Sequence, residues 1–216
     1  MKKVLLISSL LALGAVASFA ATAPPPPTCT GLTISASSVN TANTVTCEIG
    51  DKIFSNFTLT GASTGAITIS GGGTLYTLQY DNQASPLTSA FTLGFQVTVD
   101  TTVCATCYIT QMQDQMFTQN QGGGNAIPNA STATVTHTPG GTVNLDALSA
   151  QDQSGLISLA TQQETVSFAY NPHGTGQLSM ANFSISQTAV PEPVSMSLTG
   201  LGLLGLGFFG RRRLKS

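Results

Sequence analysis

Cys104-Ala105-Thr106-Cys107 is the place in this sequence where two reactive side chains stand at a spacing associated with chemistry, that of dithiol exchange or half of a zinc site. A redox dithiol needs a helix N-terminus or a nearby cation to lower the thiol pKa, and neither is visible in the flanking residues. Zinc needs more than one C-x-x-C and two scattered cysteines, Cys29 and Cys47. In an exported chain four cysteines are most simply two disulfides, with three possible connectivities; the pairing favoured here is Cys29 with Cys47 and Cys104 with Cys107.

The other chemistry-bearing residues are sparse. His137 and His173 each stand beside a turn and outside any H-E-x-x-H spacing, so they read as solvated turn residues. A glycosidase would need two carboxylates on one face, and the acids are scattered through the chain without an evident pair. There is no Gly-x-Ser-x-Gly elbow, and between residues 21 and 190 there is no arginine and one lysine, Lys52, so the usual electrophilic helpers of acyl or phosphoryl transfer are lacking. Asp81-Asn82, Asp100, Asp146 and Asp152 could give oxygen ligands to calcium, but none forms the D-x-[DN]-x-[DN]-G series. Tyr76, Tyr80, Tyr108 or Tyr170 could stack on sugars if a concave face carried them, although the chain has no Trp. Gly200-Leu201-Gly202-Leu203-Leu204-Gly205 matches G-x-G-x-x-G, but prolines precede it and no βαβ unit surrounds it. The expectation is a domain with no catalytic residue, no metal and no cofactor.

The elements that would position these groups are strands. Segments 31–39, 44–49, 53–60, 66–70, 74–79, 90–99, 103–111, 131–138, 142–145, 164–170 and 176–186 are β-prone, and many alternate with period two. Phe91, Leu93, Phe95, Val97 and Val99 point one way, Thr92, Gly94, Gln96 and Thr98 the other. Turn signals separate them, at Gly71-Gly72-Gly73, Asp81-Asn82 and Pro139-Gly140-Gly141 among others. Residues 145–159 are read as a turn or short helix. One buried and one wet face per strand implies antiparallel sheets, hence an all-β, antiparallel β-sandwich of the jelly-roll or Ig-like kind over residues 29–188, with a closed barrel as the alternative.

Both ends read as sorting information. Met1-Lys2-Lys3, an apolar run from Val4 to Ala17 and small residues to Ala20 have the three parts of a secretory signal peptide, residues 1–20, which implies the Sec translocon as a partner. Residues 21–28 form a Pro-rich spacer in which Pro24 to Pro27 favour polyproline II. At the other end Val190-Pro191-Glu192-Pro193 precedes an uncharged run, 194–210, whose 17 residues would rise about 26 Å as a helix, just enough for a hydrocarbon core of about 30 Å. Arg211, Arg212, Arg213 and Lys215 would stay cytoplasmic.

Of the seven cations six lie in these ends, so residues 21 to 190 hold one lysine against eight acids. Such a chain cannot neutralise phosphates, which excludes nucleic acid, or adhere to anionic headgroups. Its surface must be built from Thr, Ser, Asn, Gln and Gly, a composition suited to life among hydroxyl-rich polymers.

Residues 189–216 resemble the tripartite C-terminal signal of PEP-CTERM proteins, in which a Pro-Glu-Pro motif, a membrane helix and an arginine cluster are read by an exosortase. The resemblance implies recognition at Val190, Pro191, Glu192 and Pro193, with Arg211 to Arg213 as the stop, and a transient membrane anchor at 194–210. It further implies a mature protein at the cell surface or in the exopolysaccharide matrix of a biofilm. The stretch Cys47 to Phe57, containing Gly50-Asp51-Lys52, is similar to the N-terminal part of a group of such proteins; as a hairpin it would let Ile53 and Phe57 share a face. The function expected is structural and non-catalytic, with a glycan- or protein-binding module as the alternative and a secreted hydrolase as the third.

Overall fold

A computed structural model describes residues 24–41, 45–61, 64–120, 131–147, 151–173 and 176–189. Its elements are β1 (Thr33–Ser35), α1 (Ala36–Thr41), β2 (Cys47–Ile49), β3 (Lys52–Thr60), β4 (Ala66–Gly72), β5 (Leu75–Asp81) and β6 (Phe91–Val99). They continue with β7 (Cys107–Asn120), β8 (Ser131–Thr138), β9 (Gly141–Ala147), β10 (Gln151–Gln153), β11 (Ile157–Thr161), β12 (Gln163–Asn171) and β13 (Gly176–Ala189).

The strands form two antiparallel sheets. One has seven strands in the order β1-β4-β5-β13-β7-β10, with β11 also paired to β7; the other has six in the order β2-β3-β6-β12-β8-β9. Period-two alternation gives each sheet one apolar face, and burying those two faces against each other makes the sandwich. Phe95 and Phe168 of the six-stranded sheet meet Phe183 of the other edge to face at 5.2 and 5.6 Å, and Phe91 meets Tyr80 at 5.2 Å. Such aromatic pairs add about 0.5–1.5 kcal/mol each beyond their buried area.

Three local departures from the sequence reading have physical causes. The segment expected as a strand over 31–39 is a three-residue strand followed by α1, because the Ser35 Oγ accepts from the Ser38 N–H (3.2 Å) and so caps a helix whose Ala36 and Val39 are buried. Residues 145–159, expected as a turn or helix, supply the end of β9, all of β10 and the start of β11. In β3 an extra residue, Asn56, takes φ of 53° where the pairing with β6 slips, so Phe54 and Phe57 both point inward while Ile53 does not share their face.

Two disulfides are present, Cys29–Cys47 and Cys104–Cys107, with no free cysteine among the described residues. The first ties the segment before β1 to β2. Among the described residues no helix is long and apolar enough to cross a membrane. The expected signal peptide (1–20), the Pro-Glu-Pro motif with Val190, the helix at 194–210 and the arginine cluster lie outside the described residues.

Candidate functional site

Lys52 opens β3 pointing inward, and its side chain is completely buried. An unpaired ammonium there would be prohibitively desolvated, so its partners define the place. Nζ donates to Asp51 Oδ2 at 2.9 Å and to Gln187 Oε1, and lies 5.2 Å from the centre of the Tyr76 ring. The Tyr76 hydroxyl donates to Asp51 Oδ1 at 2.8 Å, and Gln187 Nε2 donates to the Gly73 carbonyl at 2.7 Å. Burial pulls the Lys52 ammonium below its ordinary range despite the Asp51 carboxylate, and burial first, then Asp51, pushes the Tyr76 phenol up to about 12. Gly50 is required beside it: its φ is +63° and a Cβ would come within 2.6 Å of the Tyr76 hydroxyl.

A second buried cluster bridges the sheets further along. Asp114 Oδ2 of β7 is hydrogen-bonded to His137 Nε2 of β8 at 2.8 Å, and His137 Nδ1 faces Glu164 Oε1 of β12 at 3.8 Å, all three side chains being wholly buried. Asp114 Oδ1, His137 Nδ1 and Glu164 Oε2 have no hydrogen-bond partner. Desolvation pushes the Glu164 carboxyl up, against the opposing pull of the Gly140 N–H and His137. His137 is thus a core residue, which corrects its reading as a solvated turn residue. The correction was available in the alternation: Ala133, Val135 and His137 share one phase of β8, as Met112, Asp114 and Met116 share one of β7. The two His137 nitrogens face different carboxylates, and all three groups are enclosed between the sheets.

His173 lies on the surface near Asn171 (3.4 Å). The tyrosines do not form a stacking platform: Tyr76, Tyr80 and Tyr170 are buried in the core, and Tyr108 is the one exposed tyrosine. Asp146 and Asp152 are joined through the Asp146 N–H, which donates to Asp152 Oδ2 at 2.6 Å. Among the described residues the grouping with metal-like spacing is Asp51 with Cys104 and Cys107, whose sulfurs are held in a disulfide. A groove of about 530 Å³ is lined by Thr64, Thr68, Asp81, Asn82, Gln83 and Ser85 with small neighbours.

The solvent side of the six-stranded sheet is a continuous polar surface. Thr58 and Thr60 on β3, Thr92, Gln96 and Thr98 on β6, Thr165 and Ser167 on β12, and Thr134 and Thr136 on β8 all point outward. Asn144 and Thr142 of β9 extend the array. Side chains bond across strands: Asn56 Nδ2 donates to Gln96 Oε1 (3.1 Å), Gln96 Nε2 to Thr165 Oγ1 (3.3 Å) and Thr134 Oγ1 to Asn144 Oδ1 (3.1 Å). Between Glu48 on one edge strand and Asp146 on the other, this face presents no charge.

No protein-family model matches the chain, and no curated protein is similar to it in sequence. Among solved structures, a ruminal GH26 endo-beta-1,4-mannanase shares 11% identity at a TM-score of 0.31, covering 74% of this chain and 26% of that one. The chain thus spans about a quarter of the mannanase's length. A family 35 carbohydrate-binding module from an environmental isolate shares 12% identity at 0.32, covering 62% of this chain and 98% of the module. The CBM35 from Cellvibrio japonicus Abf62 shares 12% at 0.27, covering 74% and 99%. Likeness at this level assigns neither ligand nor activity.

Proposed function

We propose that this chain is an exported surface module without turnover of its own, which binds neutral, hydroxyl-rich polymer through the solvent side of its six-stranded sheet. The observation that carries the reading is the uncharged array of threonine, serine, asparagine and glutamine side chains over β3, β6, β12 and β8. Hydroxyl and amide groups both donate and accept, so they can exchange water for sugar hydroxyls with little net penalty. Without an aromatic platform each contact is weak, and retention depends on many contacts along one polymer. The resemblance of residues 189–216 to an exosortase signal supports delivery to the cell surface or matrix, where such polymer is concentrated.

Retention of the full chain on neutral and acidic polysaccharides tests this. Saturable retention on a neutral polymer, unchanged between low and high salt, is expected, because no ion pair is involved. Thr134→Glu with Thr165→Glu should weaken retention at least tenfold, whereas Gln83→Ala in the groove should not. Absence of saturable retention, or loss with the groove variant alone, would overturn the assignment. The delivery half is read separately from the C-terminus of the protein from its host: an end near Pro191 to Pro193 supports processing, and an intact Arg211 to Ser216 end opposes it.

A further inference from the structure

The chain keeps a single lysine between its two ends, and folding seals that lysine against a carboxamide from the opposite sheet. We propose that Lys52 and Gln187 become joined by an intramolecular isopeptide bond that ties β3 to β13.

The three groups that such a reaction needs are in place. Lys52 Nζ is the nucleophile, in hydrogen-bond contact with the Gln187 side-chain carbonyl whose carbon it would attack. Asp51, at 2.9 Å, is the proton carrier: it takes one proton from the ammonium to leave a neutral amine. The Gln187 amide nitrogen, the leaving group, is anchored on the Gly73 carbonyl at 2.7 Å. Burial favours the neutral amine over the ammonium, which is the direction the attack requires.

The bookkeeping closes without any outside reagent. The Nζ lone pair forms a bond to Cδ, and the C=O π pair moves to oxygen. Asp51 delivers its proton to the departing nitrogen and takes the second proton from the attacking nitrogen, the oxygen pair re-forms C=O, and the C–N bond to the old amide breaks with its electron pair. The released ammonia takes that second proton from Asp51, so the products are a secondary amide and one ammonium ion, and Asp51 ends as the carboxylate it began as. Tyr76, donating to Asp51 Oδ1 at 2.8 Å, fixes the carboxyl rotamer. The Cys104–Cys107 sulfurs, within 4.8 Å of the same carboxylate, help cover it from water. Placement supplies the rate, since the Gln187 carboxamide is held by its oxygen on Lys52 and by its nitrogen on the Gly73 carbonyl.

Peptide mapping of the full chain, reduced and denatured, decides the matter. The expected result is no tryptic cleavage after Lys52, the only tryptic site between Lys3 and Arg211, and, after further digestion with chymotrypsin, a branched peptide containing Lys52 and Gln187 that is lighter than its two linear parts by one ammonia, about 17 Da. Cleavage after Lys52 together with linear peptides at full mass would overturn the proposal, leaving an ordinary buried ion pair. Asp51→Asn and Gln187→Ala should each yield only linear peptides. A bond that still forms in Asp51→Asn would remove Asp51 from the reaction.

Discussion

Glu164 is held between two sheets with a histidine on one side and an N–H on the other, and its burial outweighs both, so its carboxyl is raised from its ordinary value. For an acid raised on folding, the folded state binds more protons between the unfolded and folded pKa values, so stability falls as pH rises through that window. His137 is the titratable group that faces it, and Asp114 stands on the far side of that imidazole. Glu164→Gln removes the ionisation cost while keeping an acceptor toward Gly140. The variant is expected to gain roughly 1–3 kcal/mol over the wild type at pH 7 and little at pH 4, read from denaturant midpoints at the two values. A variant less stable at pH 7 would show that an ionised Glu164 paired with a His137 cation outweighs its desolvation. This cluster was only half legible in the sequence. Period two puts His137 and Glu164 in phase with the apolar residues of their strands, but Asp114 lies beyond the strand expected at 103–111, no local rule pairs β7 with β8 across a core, and a histidine beside Pro139-Gly140 looks like turn surface.

At the scale of elements the strand pattern was well written. β8 begins and ends where its alternating residues do, β6 differs from its expected limits by one residue at its start, and β12 by one residue at each end. What escaped were pieces whose pairing is wholly non-local. The second half of β7 reads as polar, Gln113 to Gln119, and becomes a strand because β13 and β10 bond to it on both sides. The segment before β1 has the opposite difficulty: it carries little regular structure, and the Cys29–Cys47 disulfide, with a separation of 18, together with backbone bonds from the Cys29 N–H to the Glu48 carbonyl and from the Glu48 N–H to the Pro27 carbonyl, fixes it to β2. Cys29→Ala with Cys47→Ala is expected to cost about 3 kcal/mol, the entropy of a loop of that length. It should loosen residues before β1 selectively, as seen by hydrogen exchange. Uniform loosening of the whole sandwich would instead mean that the bond holds the core.

The whole molecule carries its ionisable groups in an unusual distribution. Lys52, Asp51, Asp114 and Glu164 are inside, so the described surface has acids and no lysine or arginine. Within the seven-stranded sheet the last described strand lies in the middle: β13 bonds to β5 along one edge and to β7 along the other. Order of synthesis therefore runs against order of assembly. Until residues 176–189 arrive, the β1-β4-β5 part and the β7-β10-β11 part share no hydrogen bond, and the Phe183 ring that both Phe95 and Phe168 pack against is missing. A chain ended after Asn171 is expected to show no cooperative thermal transition, and a native-like one would contradict this. Under the export proposed above, such a design keeps the chain threadable, because the sheet locks only when β13 slots between two waiting halves.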